Sequence, residues 1–127
     1  MPTQSSEWVS RPYPGRAMLK RETLPGTWHA PLSLLRMNAD GVVLGSQFRW
    51  ARLLVPRWSA QYGEITWAER VDVGAWKAVR IYKAGSRFGL LFAPRAELDA
   101  PDLLEVLRSQ GVRIEPGVKQ ISAWGVG

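Results

Sequence analysis

Residues 77–92 read Lys-Ala-Val-Arg-Ile-Tyr-Lys-Ala-Gly-Ser-Arg-Phe-Gly-Leu-Leu-Phe. Two runs of β-forming residues flank a Gly-bearing turn, which is the composition of a β-hairpin. With Ala84-Gly85 as a two-residue loop, Ile81 faces Phe88 and Val79 faces Leu90, so four apolar side chains share one face. The opposite face then carries Arg80, Tyr82 and Arg87, with Gly89 opposite Arg80. A three-residue loop would put the two apolar sets on opposite faces, so the shorter loop is preferred.

Strand signals continue upstream of this hairpin. In Glu64–Val73, Ile65, Trp67, Val71 and Val73 alternate with Thr66, Ala68, Arg70 and Asp72, the period of a half-buried strand, and Glu69 is the interruption. Leu32–Met37, Asn38-Ala39-Asp40-Gly41 and Val42–Gly45 compose another hairpin, with Asp-Gly expected to supply the positive-φ position of the turn. The run Phe48–Trp58 is rich in β formers but breaks parity, since Phe48 and Trp50 share one face while Leu53 and Val55 share the other. A bulge or bend near Ala51 is expected there, with Pro56 marking an edge or strand end.

Downstream, one helix is expected within Ala100–Gln110. Asp99 is placed as its N-cap, Pro101 fits the first turn, and Asp102 and Glu105 sit near the positive end of the dipole. Leu98, Leu103, Leu104 and Leu107 form its apolar stripe, and Gly111 suits a left-handed residue just past its end. Residues 1–15 read as an irregular arm with Trp8 and Tyr13 as docking points. In Glu115–Gly127, Val118, Ile121 and Trp124 recur every three residues, which reads as a helical turn or a tail. The expected organisation is an arm over 1–15, a domain over 16–114 and a tail over 115–127.

A chain of 127 residues is long enough for one core without staples. The absence of cysteine excludes disulfides, thiolate metal sites and Cys nucleophiles. No signal-peptide pattern and no apolar run of about 18 residues occurs, so a soluble, cytoplasmic protein is expected. His29 is the single histidine, without a second ligand or an orienting group in the sequence around it. Neither a G-x-G-x-x-G nor a Walker-type phosphate loop is present. Nothing assembles into a catalytic, metal or cofactor signature, and no enzyme activity is expected.

The hairpin Leu34–Leu44, the segment Ile65-Thr66-Trp67-Ala68-Glu69-Arg70-Val71, the strand Phe88–Phe92 and the helix Leu103–Val112 together resemble a small bacterial pleckstrin-homology-like (PH-like or GRAM-like) domain. The resemblance covers about residues 32–114. It implies a mainly β, α+β fold, a bent barrel or sandwich of about seven antiparallel strands capped by one C-terminal amphipathic helix. It also implies a binding module rather than an enzyme. The chain departs from the lipid-binding version, because no cluster of basic residues crosses the first hairpin.

The formal charge of +6 comes from 17 Lys and Arg against 11 Asp and Glu, and 13 of the cations are arginine. The excess lies in the β body, whereas residues 94–127 hold four basic and five acidic side chains. Arg49, Arg52 and Arg57 fall on one irregular segment. Arg80 and Arg87 share a hairpin face with Tyr82, and Trp58 and Trp76 sit at strand ends. These eight residues form the candidate partner- or anion-contact face. A protein partner is expected first, an anionic membrane surface second and nonspecific nucleic acid third, with a second copy of the chain as a further candidate.

Overall fold

The computed structural model describes residues 12–20, 27–55, 57–86, 89–96 and 98–121. Eight strands follow one another as β1 (Tyr13–Lys20), β2 (Thr27–Met37), β3 (Gly41–Ser46), β4 (Trp58–Gln61), β5 (Ile65–Val73), β6 (Trp76–Lys83), β7 (Leu90–Pro94) and β8 (Ile114–Ile121). One α-helix among the described residues, α1 (Asp99–Ser109), separates β7 from β8, and short 3-10 turns occupy Arg49–Leu54 and Tyr62–Glu64. All strands join one sheet in the order β4-β3-β2-β1-β7-β6-β5-β8, curled into a half-barrel. The mainly β expectation holds, with one strand more than the seven foreseen.

The open side of the curl is bridged locally. The turn Tyr62–Glu64 carries the chain from edge strand β4 to β5, and the Lys83 ammonium at the end of β6 donates to the Ser59 carbonyl on β4 at 2.7 Å. One outward carbonyl of a strand edge is thereby occupied. Inside the curl, Tyr13, Leu35, Met37, Val42, Ile81, Leu90 and Phe92 are fully buried. Helix α1 closes over them with Ala100, Leu103 and Leu107. Each such leucine contributes about 1.5–3 kcal/mol on burial. Tyr13 also ties β1 to the helix, its hydroxyl donating to Asp102 at 2.6 Å.

The helix ends in a Schellman arrangement. Val112 N–H donates to Leu107 and Gly111 N–H to Arg108, and Gly111 holds φ at 89°, which a side chain would strain. At the other end the stripe is shorter than expected. Leu98 is 84% exposed, and Asp99 is itself the first helical residue, buried at 4%, rather than the residue before it.

Several registers depart from the sequence expectation. β6 and β7 pair Ile81 with Leu90 and Val79 with Phe92, two residues beyond the expected register. Alternation fixes only parity, so a shift of two keeps the same residues facing inward. Gly89 contributes here, since a Cβ at that position would sit 2.8 Å from Arg80 Cγ. In β5 an irregularity between Ile65 and Trp67 turns Ile65 and Ala68 toward the main core. Val71 and Val73 instead join Met18, Ala78, Leu91 and Ala93 in a second buried cluster. Ile65 therefore does not share a face with Val71, because one inserted residue inverts the alternation, whereas Trp67, beyond the irregularity, keeps the face of Val71 and Val73 and stacks there on Tyr82.

The β2–β3 hairpin forms where expected, but its turn works differently. Asn38 Oδ1 accepts from the Asp40 and Gly41 amides at 2.9 Å each, an Asx-type closure, and Gly41 does not adopt a positive φ. Gly41 is needed because a Cβ would collide with the Ala60 carbonyl of β4. The tail expected over 115–127 is strand as far as Ile121, pairing parallel with β5. Gly117, at φ 86°, lies where that register shifts between Ala68 and Arg70. Residues 1–11 of the expected arm and 122–127 of the tail lie outside the described residues.

Candidate functional site

The segment between β3 and β4 carries the densest group of exposed large apolar side chains among the described residues. The sequence expects an extended run with a bend near Ala51; the chain instead winds Arg49–Leu54 into a 3-10 turn. The parity break has this origin: Ala51 and Val55, four residues apart, point into the protein while the residues between and before them point out. Winding replaces alternation with a helical spacing, so no strand face could have been consistent.

The turn is held from beneath and behind. Gln47 N–H donates to the Leu32 carbonyl at 2.8 Å, and the Gln47 side-chain amide donates to the Ser33 carbonyl at 3.1 Å. The Arg95 guanidinium donates to Gln47 Oε1 at 2.8 Å, linking the far side of β7 to the same residue. Ser46 Oγ donates to the Phe48 carbonyl, and Ala51 is fully buried. On this base stand Phe48, Trp50, Leu53 and Leu54, exposed at 47, 69, 86 and 58%. The Phe48 and Trp50 rings stack at 5.8 Å. Half of the eight exposed large hydrophobic side chains among the described residues sit on these seven consecutive positions, so the exposure is concentrated rather than scattered.

Arg49 and Arg52 lie on this turn and Arg57 just beyond it, and all three are exposed. None forms an ion pair with a described carboxylate, and the sequence from Gly41 to Gly63 contains no Asp or Glu. Two depressions flank the turn. One, of about 280 Å³, lies between Ala30, Pro31 and Leu32 of β2 and the Leu53–Val55 wall, with His29 in its lining. The other, of about 620 Å³, uses Leu53 and Val55 as its near wall and carries Arg52 and Arg57 with Ser46. An apolar and a cationic depression thus share one wall.

The remaining candidate residues divide. Trp58 is half-buried against the main core, although it lines a cleft of about 430 Å³ with Arg57, Ser59, Lys83 and Ser86. Arg80 does not face solvent. Its side chain is 7% exposed, lies 3.7 Å from the equally buried Glu69 carboxylate and donates to the Tyr82 hydroxyl at 3.2 Å. Tyr82 stacks on Trp67 with centroids 4.0 Å apart. The cross-strand pairing of Glu69 with Arg80 makes this ion pair, and the register that sets it was not evident from alternation. Trp76 is 45% exposed with the Arg16 guanidinium 5.7 Å from its ring centroid, a cation–π approach. Arg87 lies outside the described residues.

Arg52 and Arg57 therefore line one depression and Arg49 lies on the same turn as Arg52, whereas Arg80 and Tyr82 belong to a separate, internally paired group on β6. Phe48, Trp50, Leu53 and Leu54 are absent from the contact face expected from the sequence, which put Phe48 and Trp50 on one face of an extended run and Leu53 on the other. The signal available was the parity break itself, combined with arginines at the intervening positions.

Chemistry elsewhere is sparse. Among the described residues no group of three or more histidine and carboxylate side chains is placed to hold a metal ion. Tyr62, whose hydroxyl donates to the Asn38 carbonyl at 2.6 Å, has its pKa pushed up from 10.0 to about 12, first by burial and then by the nearby Asp40 charge. Among the described residues no helix is long and apolar enough to cross a membrane. Comparison of the chain with protein families, with curated proteins and with solved structures finds no match.

Proposed function

We propose that the protein is a non-enzymatic binding or scaffold module of PH-like type, which engages a protein partner through the turn Phe48–Leu54 and the arginines around it. One observation carries this reading: Trp50 and Leu53 stand 69 and 86% exposed on a turn that is anchored by buried Ala51 and the Gln47 hydrogen bonds. Exposing such side chains contributes nothing to folding, and aromatic and arginine residues are those that dominate protein interfaces. The depressions on either side favour a partner with side chains to insert, because a flat bilayer surface needs no concavity.

The test is site-specific crosslinking in the native cell. Benzoylphenylalanine at position 53 captures a discrete protein, while the same probe at position 105, on the outer side of α1, does not. Equal capture at both positions, or none at 53, removes this reading. A second reading is contact with an anionic membrane, supported by the apolar tip with its arginine surround. It predicts co-sedimentation with phosphatidylglycerol vesicles that is lost at high salt.

A further inference from the structure

The two depressions beside the 3-10 turn differ in chemistry, and their arrangement narrows the kind of partner the proposed docking face accepts. The depression between β2 and the turn is lined almost wholly by apolar side chains, and its volume of about 280 Å³ is that of one large side chain rather than a helix. Across the shared wall of Leu53 and Val55 lie Arg52 and Arg57, exposed and without a carboxylate partner among the described residues. Guanidinium groups recognise carboxylates in a bidentate manner that fixes orientation as well as charge.

We infer that the occupant is a protein segment carrying one large apolar side chain next to acidic residues. The apolar side chain enters the depression walled by Pro31, Leu32 and Leu54, and the neighbouring carboxylates cross the Leu53–Val55 wall to Arg52 and Arg57. This inference rests on the docking reading above and assigns its partner chemistry. Charge complementarity supports an acidic occupant, because the stretch from Gly41 to Gly63 supplies three exposed arginines, Arg49, Arg52 and Arg57, and no acid. The anchoring of the turn matters as well. A depression whose wall is pinned by buried Val55 is present before the partner arrives, so little ordering cost opposes binding.

The probe is a capped pentapeptide with one central phenylalanine flanked on each side by two acidic residues, titrated into the full ¹⁵N-labelled chain at low salt. Amide shifts are expected at residues 29–32 and 52–57, and they should weaken as salt rises, since exposed charge contacts are screened. Replacing the phenylalanine with alanine, or the acids with lysines, should abolish the shifts. In Arg52→Glu/Arg57→Glu, affinity should fall about tenfold, as expected for losing two exposed charge contacts. Dispersion of that variant's spectrum checks that it is folded.

Shifts centred elsewhere, equal binding of the lysine peptide, or no binding at millimolar peptide overturn the inference. So does binding of the labelled chain to phosphatidylglycerol vesicles with the peptide silent, which assigns the face to lipid instead. If position 53 crosslinks a protein in the cell while the peptide stays silent, the docking reading stands and only the acidic-anchor chemistry fails.

Discussion

Leu53-Leu54 and Leu103-Leu104 are the same dipeptide, each followed within a few residues by an arginine, yet they meet opposite fates. In α1, Leu103 and Leu107 are fully buried over the mouth of the curled sheet, and Leu104 is half-buried. In the 3-10 turn, Leu53 and Leu54 are 86 and 58% exposed while small Ala51 takes the buried position. The difference lies in what each segment is built to cover. An eleven-residue helix with a full turn of leucines can plug an opening, whereas a six-residue turn has one inward position and must send its other side chains outward. Apolar residues are stabilising in the first segment and available for contact in the second.

This contrast is sharpest under truncation. Leu103→Ala should cost about 2–5 kcal/mol, the range for a leucine removed from a packed core, read as a lower urea midpoint with unchanged slope. A loss below 1 kcal/mol would mean that α1 does not close the core. Next in size, Glu69→Ala leaves the Arg80 guanidinium buried without its carboxylate and should cost about 3 kcal/mol. If the variant keeps wild-type stability, the placement of Arg80 inside the protein is wrong, and it returns to the candidate contact face.

Smaller effects probe how the two ends of the molecule are tied. Tyr13→Phe removes the hydroxyl that donates to Asp102 and should cost about 1–2 kcal/mol, measured by the same urea titration. Tyr62 gives a pH signature. Its folded pKa lies above the unfolded value of 10.0, so the unfolded chain loses the proton first, and stability falls as pH rises from 10 toward about 12. Tyr62→Phe should flatten the slope of stability against pH in that window relative to wild type. An unchanged slope would show that the hydroxyl is not held as described.

Much of the fold was legible because it depends on local pattern. The β2–β3 hairpin, the existence of α1 and Gly111 at its end follow from turn residues and spacing that act within a few residues, although the helix begins one residue earlier than its expected cap allowed. The β6–β7 pairing was right in parity and wrong by two residues, since alternation cannot distinguish registers that differ by an even number. β8 was hidden for another reason. Pro116 and Gly117 interrupt its sequence, and its extended path depends on a parallel neighbour, β5, some forty residues upstream. The candidate contact face was half legible: Arg52 and Arg57 line one depression with Arg49 on the same turn as Arg52, but pairing of Glu69 with Arg80 is a tertiary event that no local signal announced.

Whether Leu53 serves contact and not folding is tested most directly by one paired measurement on Leu53→Ser. The urea midpoint and the yield of protein crosslinked from benzoylphenylalanine at position 50 are read on the same variant. The account predicts stability within about 0.5 kcal/mol of wild type, as for an exposed site, together with loss of the crosslink. A fall in stability comparable to that of Leu103→Ala, or a crosslink that persists undiminished, would contradict it.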